Sequence, residues 1–417
     1  MTAGLLILTM FTAAFAMVAR RLSSTVITAP MVFLALGTFL AYCELLPHDD
    51  AETSLHLVAE IALIVLLFLD AAQIDLRALR SRHIWPLRML LIGLPITIAL
   101  GTLAAYPFLP AWPLVAVALV ASILAPTDAA LGQAVVTNPI VPERVRRALT
   151  VESGLNDGMA LPAVLLFASL AAEAMEANQT NWILFGAKQL IFGPLVGIAL
   201  GLIGGKVVVY AQEKRLTSDT FEGVGALAMA GATYLAATLI GGNGFIAAFV
   251  AGLCFGNVIE GRCKFIYEFT ESEGLVLTWG AFFLLGLALV PQALQHLDGA
   301  TLAIIFLSLF VVRPLAIWIS LLGSDAAPIT RLFFGWFGPR GLATALFALL
   351  ILEQIDHELA EPVLMLAVNT VWISAVLHGI SAMPAAKWYA AKVDDMGDCP
   401  ETREVLRSAK PLATMGE

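Results

Sequence analysis

Between residues 152 and 157 the sequence reads Glu-Ser-Gly-Leu-Asn-Asp. On a helix of 3.6 residues per turn, Ser153 stacks with Asp157 and Glu152 with Asn156, each pair at i and i+4. One helical face then offers a hydroxyl and a carboxylate to the same point. Hard monovalent cations such as Na+ take oxygen ligands, by the logic that holds for other hard cations. A carboxylate among those oxygens can hold either a proton or the cation. Upstream, Ala125-Pro126-Thr127-Asp128 sets another acid beside a helix breaker; downstream, Phe337-Gly338-Pro339-Arg340-Gly341 sets a base in a similar frame. Asp70 and Arg313 complete the ionisable residues embedded in apolar sequence.

The surroundings of these residues are those of a bilayer. Hydrophobic residues make up 59% of the 417 and charged residues 13%, with a mean hydropathy of +0.88; soluble domains run at about 45–50% and about 25%. Each charge held at mid-membrane costs about 2.5–3.5 kcal/mol on insertion scales, and packing alone does not offset that. Such residues mark an ion pathway or a proton relay, or else they pair with one another for structure.

Other chemistry finds little support. The net charge of −9 comes with no basic stripe, which excludes a nucleic-acid surface. Cys43, Cys254, Cys263 and Cys399 form no CxxC motif and have no His at metal-ligand spacing. No GxSxG, HExxH or Walker-type loop occurs, so hydrolase and ATPase readings have no foothold and no cofactor is expected.

Segments of about 20 apolar residues, enough to cross a hydrocarbon core of ~30 Å, fall at 3–19, 25–43, 56–74, 87–106, 112–136, 147–172, 182–210, 222–240, 243–259, 273–292, 300–322, 329–353 and 361–384. The first is followed by Arg20-Arg21 and lacks a preceding basic region, the reverse of a cleavable signal, so it is expected to stay as a span. Only Gly241-Gly242-Asn243-Gly244 joins the eighth and ninth, which leaves twelve spans as an alternative. With thirteen spans and the amino end outside, every Lys and Arg of the 23 except Lys188, Arg313 and Arg340 falls on the inner side, as the positive-inside rule requires. The expected protein is therefore an all-α polytopic membrane protein of the cell (inner) membrane, carboxyl end cytoplasmic, with a transmembrane domain over 1–386 and a short cytoplasmic tail over 387–417.

Proline removes an amide donor and clashes with the preceding turn, so the fifth and twelfth spans are expected to break at Pro126 and Pro339. Gly/Pro-interrupted spans in corresponding positions of two halves point to a midplane site on broken helices built from inverted repeats; two ordinary proline kinks are the alternative. Charges at both breaks favour the site, with Asp128 complementing the positive end of one half-helix and Arg340 the negative end of another.

Thr127-Asp128, the run Glu152 to Asp157, Arg313-Pro314 and Gly338-Pro339-Arg340-Gly341 together resemble the monovalent cation:proton antiporter-1 family, the NhaP-type and eukaryotic Na+/H+ exchangers, over about residues 10 to 385. The resemblance implies that Asp157 is the carboxylate at which cation and proton compete, with Ser153 and Thr127 (side chain or backbone) as co-ligands of Na+ and Asp128 as the acid of a crossing-helix break. Asn156 stands where electrogenic relatives carry a second Asp, which implies electroneutral one-for-one exchange. Glu152 and Arg313 match a buried ion pair between spans six and eleven, and Arg340 lies in the second break. Family members often carry a Glu in the third span directly after Leu-Phe; here Phe68 is followed by Leu69 and then Asp70, which either takes that role or faces a dimer partner. The implied architecture is a core of spans about 87–172 and 300–384, a dimerisation scaffold of spans about 3–74 and 222–292, and a linker span about 182–210. The implied activity is exchange of Na+ (or Li+) for H+ in a homodimer, with K+/H+ antiport by the same site as the alternative and a channel or sensor on the same scaffold as a third reading.

Two smaller expectations complete the reading. His83 and His378 fall near the inner face, where a pH sensor would sit, although most such histidines face solvent. Trp85, Trp112, Trp182 and Trp336 fall near span ends, where an interfacial belt is the ordinary explanation, and Lys188 is expected to snorkel outward.

Overall fold

The computed structural model describes residues 2–22, 25–46, 48–74, 76, 84–128, 131–175, 182–260, 262–263, 268, 273–352 and 355–402. Every regular element among them is helical. The first three are α1 (Thr2–Leu22), α2 (Ala29–Tyr42) and α3 (His48–Ala72). Next come α4 (Ile84–Arg88), a π-helical turn at Met89–Gly93, α5 (Leu94–Ala105), α6 (Leu114–Ile123) and the short α7 (Gln133–Val136). Long helices α8 (Glu143–Met175) and α9 (Trp182–Glu213) precede α10 (Asp219–Leu239), α11 (Gly244–Ile259), α12 (Glu273–Ala288) and α13 (Val290–Gln295). The chain continues through α14 (Gly299–Leu307), a second π turn at Ser308–Val312, α15 (Arg313–Ser320), α16 (Pro328–Trp336), α17 (Leu342–Ile351) and α18 (His357–Met396).

Among the described residues, six stretches are long and apolar enough to cross a membrane: Thr2–Ala19, Ile84–Phe108, Glu143–Ala174, Gly186–Glu213, Gly299–Ser320 and Glu358–Met396. Shorter apolar helices lie between them. Large apolar side chains such as Leu6 and Met17 on α1, Leu195 on α9 and Phe221 and Leu239 on α10 are exposed, which suits lipid and not water. The chain is thus an integral, multi-pass membrane protein. The glycine-rich joint of the eighth and ninth expected spans separates two helices: Gly241 turns at φ +79, and Asn243 caps α11 by accepting from the Ile246 amide at 3.0 Å.

A repeated order of elements organises two stretches of the chain. A helix carrying a π turn, then a broken helix, then a long helix occurs once from Ile84 to Met175 and again from Gly299 to Met396. Proline explains both π turns. Pro95 and Pro314 sit one residue into α5 and α15 and lack the amide that an α-helix would use, and the residue before each bonds one position further back, Leu94 to the Met89 carbonyl and Arg313 to that of Ser308. The two helices run antiparallel, with Gly93 against Ile317 and Ser320, and Gly101 near Val312. Arg88 closes the end of α15 by donating to the Ser320 carbonyl at 2.7 Å and the Leu322 carbonyl at 2.5 Å.

Packing divides the helices into two sets. In one, α2 lies along α12, α3 against α11 and α12, and α9 and α10 against α11. Asn257 locks α3 to α11, accepting from the Leu76 amide at 3.0 Å and donating to the Ile74 carbonyl at 2.8 Å. In the other, α8 takes α6 on one side, α15 packs on α16, and α17 on α18.

A separate apolar cluster closes the basic end of this second set, with Trp85, Phe333, Phe334, Tyr389 and Cys399 buried together. Trp85 therefore departs from the expected interfacial belt: it is buried, donates to Asp325 Oδ1 at 2.7 Å, and lies under the Arg144 guanidinium, 3.8 Å from its ring centre. Trp336 is half-buried, Trp112 likewise, and the Trp182 side chain and His83 lie outside the described residues.

Candidate functional site

Both expected breaks are present, and they cross. The chain leaves α6 at Ile123, runs without helix through Ala125–Asp128, and the second break runs from Phe337 to Gly341 between α16 and α17. The Asp128 amide donates to the Pro339 carbonyl at 2.9 Å. The Asp128 carboxylate accepts from the Leu342 amide at 2.9 Å, at the first turn of α17. Arg340 Nη1 donates to the Ala125 and Pro126 carbonyls, at 2.6 and 3.0 Å, just past the end of α6. Each break thus carries the charge that complements a half-helix of the other: an anion at the positive end of α17 and a cation at the negative end of α6. The two glycines of the second break are required by this approach. A Cβ at Gly338 would collide with the Arg313 guanidinium, and one at Gly341 with the Asp128 carboxylate.

Beside the crossing, α8 presents Glu152, Ser153, Asn156 and Asp157. Glu152 is saturated: Arg313 Nη1 and Nη2 donate to its Oε1, each at 3.1 Å, Asn156 Nδ2 donates to the same oxygen at 2.9 Å, and Thr127 donates to Oε2 at 3.2 Å. Glu152 and Arg313 are 1% and 3% exposed, so this is a buried ion pair, with both carboxylate oxygens engaged and Arg313 Nε left without a partner. The Thr127 hydroxyl also accepts from Asn156 at 3.1 Å and lies 3.5 Å from the Ser153 hydroxyl. Since the one Thr127 proton is used on Glu152, the hydroxyl serves as the junction between the first break and α8.

Asp157 contrasts with this. Its Oδ1 is buried and has no hydrogen-bond partner. The carboxylate lines a cavity of about 320 Å³, shared with Ser153, Asp128 and Asp70. Asp70 also lines this cavity, on the side of α3 that faces Gly154 of α8. Thr137 and Thr150, both exposed, also line the cavity, and Thr150 donates to the Arg146 carbonyl one turn earlier on α8, at 3.1 Å. Thr278 and Gly274 of α12 and Leu342 of α17 complete the walls. Among the described residues no group of three or more His, Cys, Asp or Glu side chains converges to hold a metal ion.

Sequence reasoning missed one neighbour of the breaks. His378 does not face solvent: it is buried at 2% exposure on α18 and stacks on Trp336, with ring centres 4.9 Å apart. Its spacing of four from Ser374 was the available signal.

A family described as "Sodium/hydrogen exchanger, transmembrane" matches residues 6–388, and the chain belongs to that family. Family and fold are those of cation/proton antiporters, which are secondary transporters rather than enzymes. The sodium proton antiporter MjNhaP1 of Methanocaldococcus jannaschii shares the fold, with a TM-score of 0.75 at 21% identity, covering 93% of this chain and 99% of that one. In sequence, the K(+)/H(+) antiporter NhaP of Alkalimonas amylolytica is 29% identical over 346 residues, 81% of this chain and 58% of that protein. The K(+)/H(+) antiporter NhaP2 of Shewanella sp. (strain ANA-3) is 30% identical over 350 residues, 83% of this chain and 59% of that protein. The matched region spans somewhat under three fifths of the length of these relatives.

Proposed function

We propose that this chain exchanges a monovalent cation for a proton across the membrane, with Asp157 as the carboxylate that both substrates share. The observation that carries this reading is the bare, buried Oδ1 of Asp157 on a cavity with further oxygen ligands at hand. A lone carboxylate in low dielectric is costly to move while charged. If it must be neutralised before its helices can shift, it crosses loaded with H+ or with the cation and not empty, and antiport follows.

Ser153, Asp128 and the backbone of Thr127 support the bound ion, Asp70 adds negative charge to the same cavity, and Asn156 in place of a second acid makes exchange one for one and electroneutral. Glu152 with Arg313 holds α8 against span eleven, and Arg340 holds the crossing. In the thirteen-span assignment, spans 4–6 and 11–13 form the moving core and spans 1–3 and 8–10 the scaffold of a homodimer, with span 7 between them. α8 packs more extensively on α6 than on α11, which it meets at Gly158 and Phe249, and this supports that division. The cavity opens toward the arginine-rich end of α8, so the state is inward-facing if that end is cytoplasmic, as the positive-inside rule has it. The carboxyl end is then cytoplasmic, the amino end outside, the cell membrane is the location, and no cofactor takes part.

Na+ or Li+ is the expected cation. K+ is the second reading, favoured by the names of the two relatives above. Proton flux into proteoliposomes driven by Na+, Li+ or K+ separates them. Flux that saturates with cation and is abolished in Asp157→Asn is expected; unchanged flux in that variant overturns the role of Asp157, and voltage-driven, non-saturating current points to a channel.

A further inference from the structure

The second break has two shoulders, the Trp336 carbonyl at the end of α16 and the Arg340 amide just before α17. Neither can be satisfied within its own helix, because the chain between them is not helical. One residue pair on α18 meets both. The Arg340 amide donates to Ser374 Oγ at 2.7 Å. Ser374 Oγ lies 3.1 Å from His378 Nδ1, and His378 Nε2 lies 3.0 Å from the Trp336 carbonyl. A carbonyl only accepts, so Nε2 must carry the proton in that bond. Nδ1, 3.1 Å from Ser374 Oγ and 2.9 Å from the Ser374 carbonyl, has a partner for either role. Ser374 and His378 are buried, one turn apart on a single face of α18.

We infer that His378 is a positioning residue for cation binding: through its Nε2–H and through Ser374 it spans the second break and fixes where that break presents Pro339 and Arg340 to the first. The chain of contacts to the site is short. Pro339 receives the Asp128 amide, Arg340 holds the Ala125 and Pro126 carbonyls, and Thr127 between them touches Ser153. A displacement of the break therefore reaches the groups around Asp157 within two contacts, and misplacement on the scale of 1 Å is enough to move ligand geometry by large factors. The Gly338 amide also donates to the Trp336 carbonyl, at 2.8 Å; that bond lies inside the break and moves with it.

The test uses side chains that keep or remove the Nε2 donor, measured as cation-dependent proton flux in proteoliposomes of the full chain. The apparent KM for the cation is read separately from the maximal rate, since reduced insertion or folding lowers only the latter. His378→Leu is expected to raise KM about tenfold or more. In His378→Gln an amide N–H reaches the same place and KM stays within about twofold of wild type, whereas in His378→Asn the donor falls short and KM rises. Ser374→Ala raises KM too, and the double variant with His378→Leu is no worse than the weaker single, as for two members of one unit. An unchanged KM in the Leu variant, or equal values for Gln and Asn, overturns the inference; where the Leu variant does not reach the membrane, the Gln and Asn pair decides it. The inference rests on the exchange proposed above, and wild-type protein without cation-driven flux overturns that reading. Hydrogen exchange of the amides from 337 to 342 tests the positioning without transport: faster in His378→Leu and as wild type in His378→Gln is expected, and no change in the Leu variant overturns it.

Discussion

Two acids five residues apart on α8 sit in opposite surroundings. Glu152 has both carboxylate oxygens hydrogen-bonded, Oε1 by Arg313 and Asn156 and Oε2 by Thr127. Asp157, a turn and a half further on, has a buried oxygen with no partner and a cavity in front of it. Burial alone does not distinguish a structural carboxylate from a working one; the hydrogen-bond account does. A saturated acid fixes helices in place, while an unsaturated one is destabilising to the fold and is kept for what it can bind.

The sharpest way to break that contrast is to neutralise each acid in turn. Asp157→Asn is expected to abolish flux while leaving the thermal midpoint unchanged or raised, because a costly buried charge is removed. Glu152→Gln strips the counter-charge from buried Arg313 and is expected to destabilise the protein by about 3–5 kcal/mol, read as a loss of folded, monodisperse protein in detergent. A flux-dead but stable Glu152→Gln would reverse the assignment. Next in size is Asn156→Asp. It removes the donor to Glu152 and Thr127 and sets a second carboxylate against the first, at a cost of about 1.5–3 kcal/mol, the scale of a hydrogen bond to a charged group; an unshifted thermal midpoint would show that the network tolerates a second acid. Asp70→Asn tests the cavity instead of the pair. Losing one charge across a partly wet space is expected to raise the cation KM about tenfold, or ~1.4 kcal/mol, with little change in maximal rate. Equal KM in the variant would remove Asp70 from the ion's field.

Much of this contrast was legible in the sequence. The stacking of Glu152 with Asn156 and of Ser153 with Asp157 follows from helical spacing, and Pro126 and Pro339 marked both breaks because a missing amide is a local property. Proline also marked the two π turns, at Pro95 and Pro314, although that signal went unread. What sequence could not supply is which groups meet across the chain. Local electrostatics gave the sign of the charges at the breaks, but only the crossing assigns Asp128 to α17 and Arg340 to α6. Thr127 was expected as a ligand, and its hydroxyl is found engaged between Glu152 and Asn156. Trp85 and His378 looked like surface residues because both sit near span ends; partners more than 40 residues away in sequence bury them.

A third carboxylate provides the control for the buried pair. Asp325, in the loop between α15 and α16, faces Arg144 at 2.9 Å, but the two side chains are 41% and 17% exposed. Burial pushes the Asp325 carboxyl up, yet hydrogen bonds from Arg144 and Trp85 together with the Arg144 charge outweigh it and hold the group below its ordinary value of 3.8. A carboxylate whose folded value is depressed contributes stability above its unfolded value and loses it as pH falls through the folded one. The thermal midpoint of wild type minus that of Asp325→Asn should therefore be small and positive at neutral pH, within the ~0.2–1 kcal/mol of solvent-exposed pairs, and should shrink toward zero as the pH falls below about 4. Added salt should reduce it as well, since screening reaches a wet pair. The Glu152–Arg313 pair, sealed from solvent, should show no such salt dependence, and a salt-sensitive loss on Glu152→Gln would mean that water reaches α8 at that level and that the two acids are not as different as their partners make them.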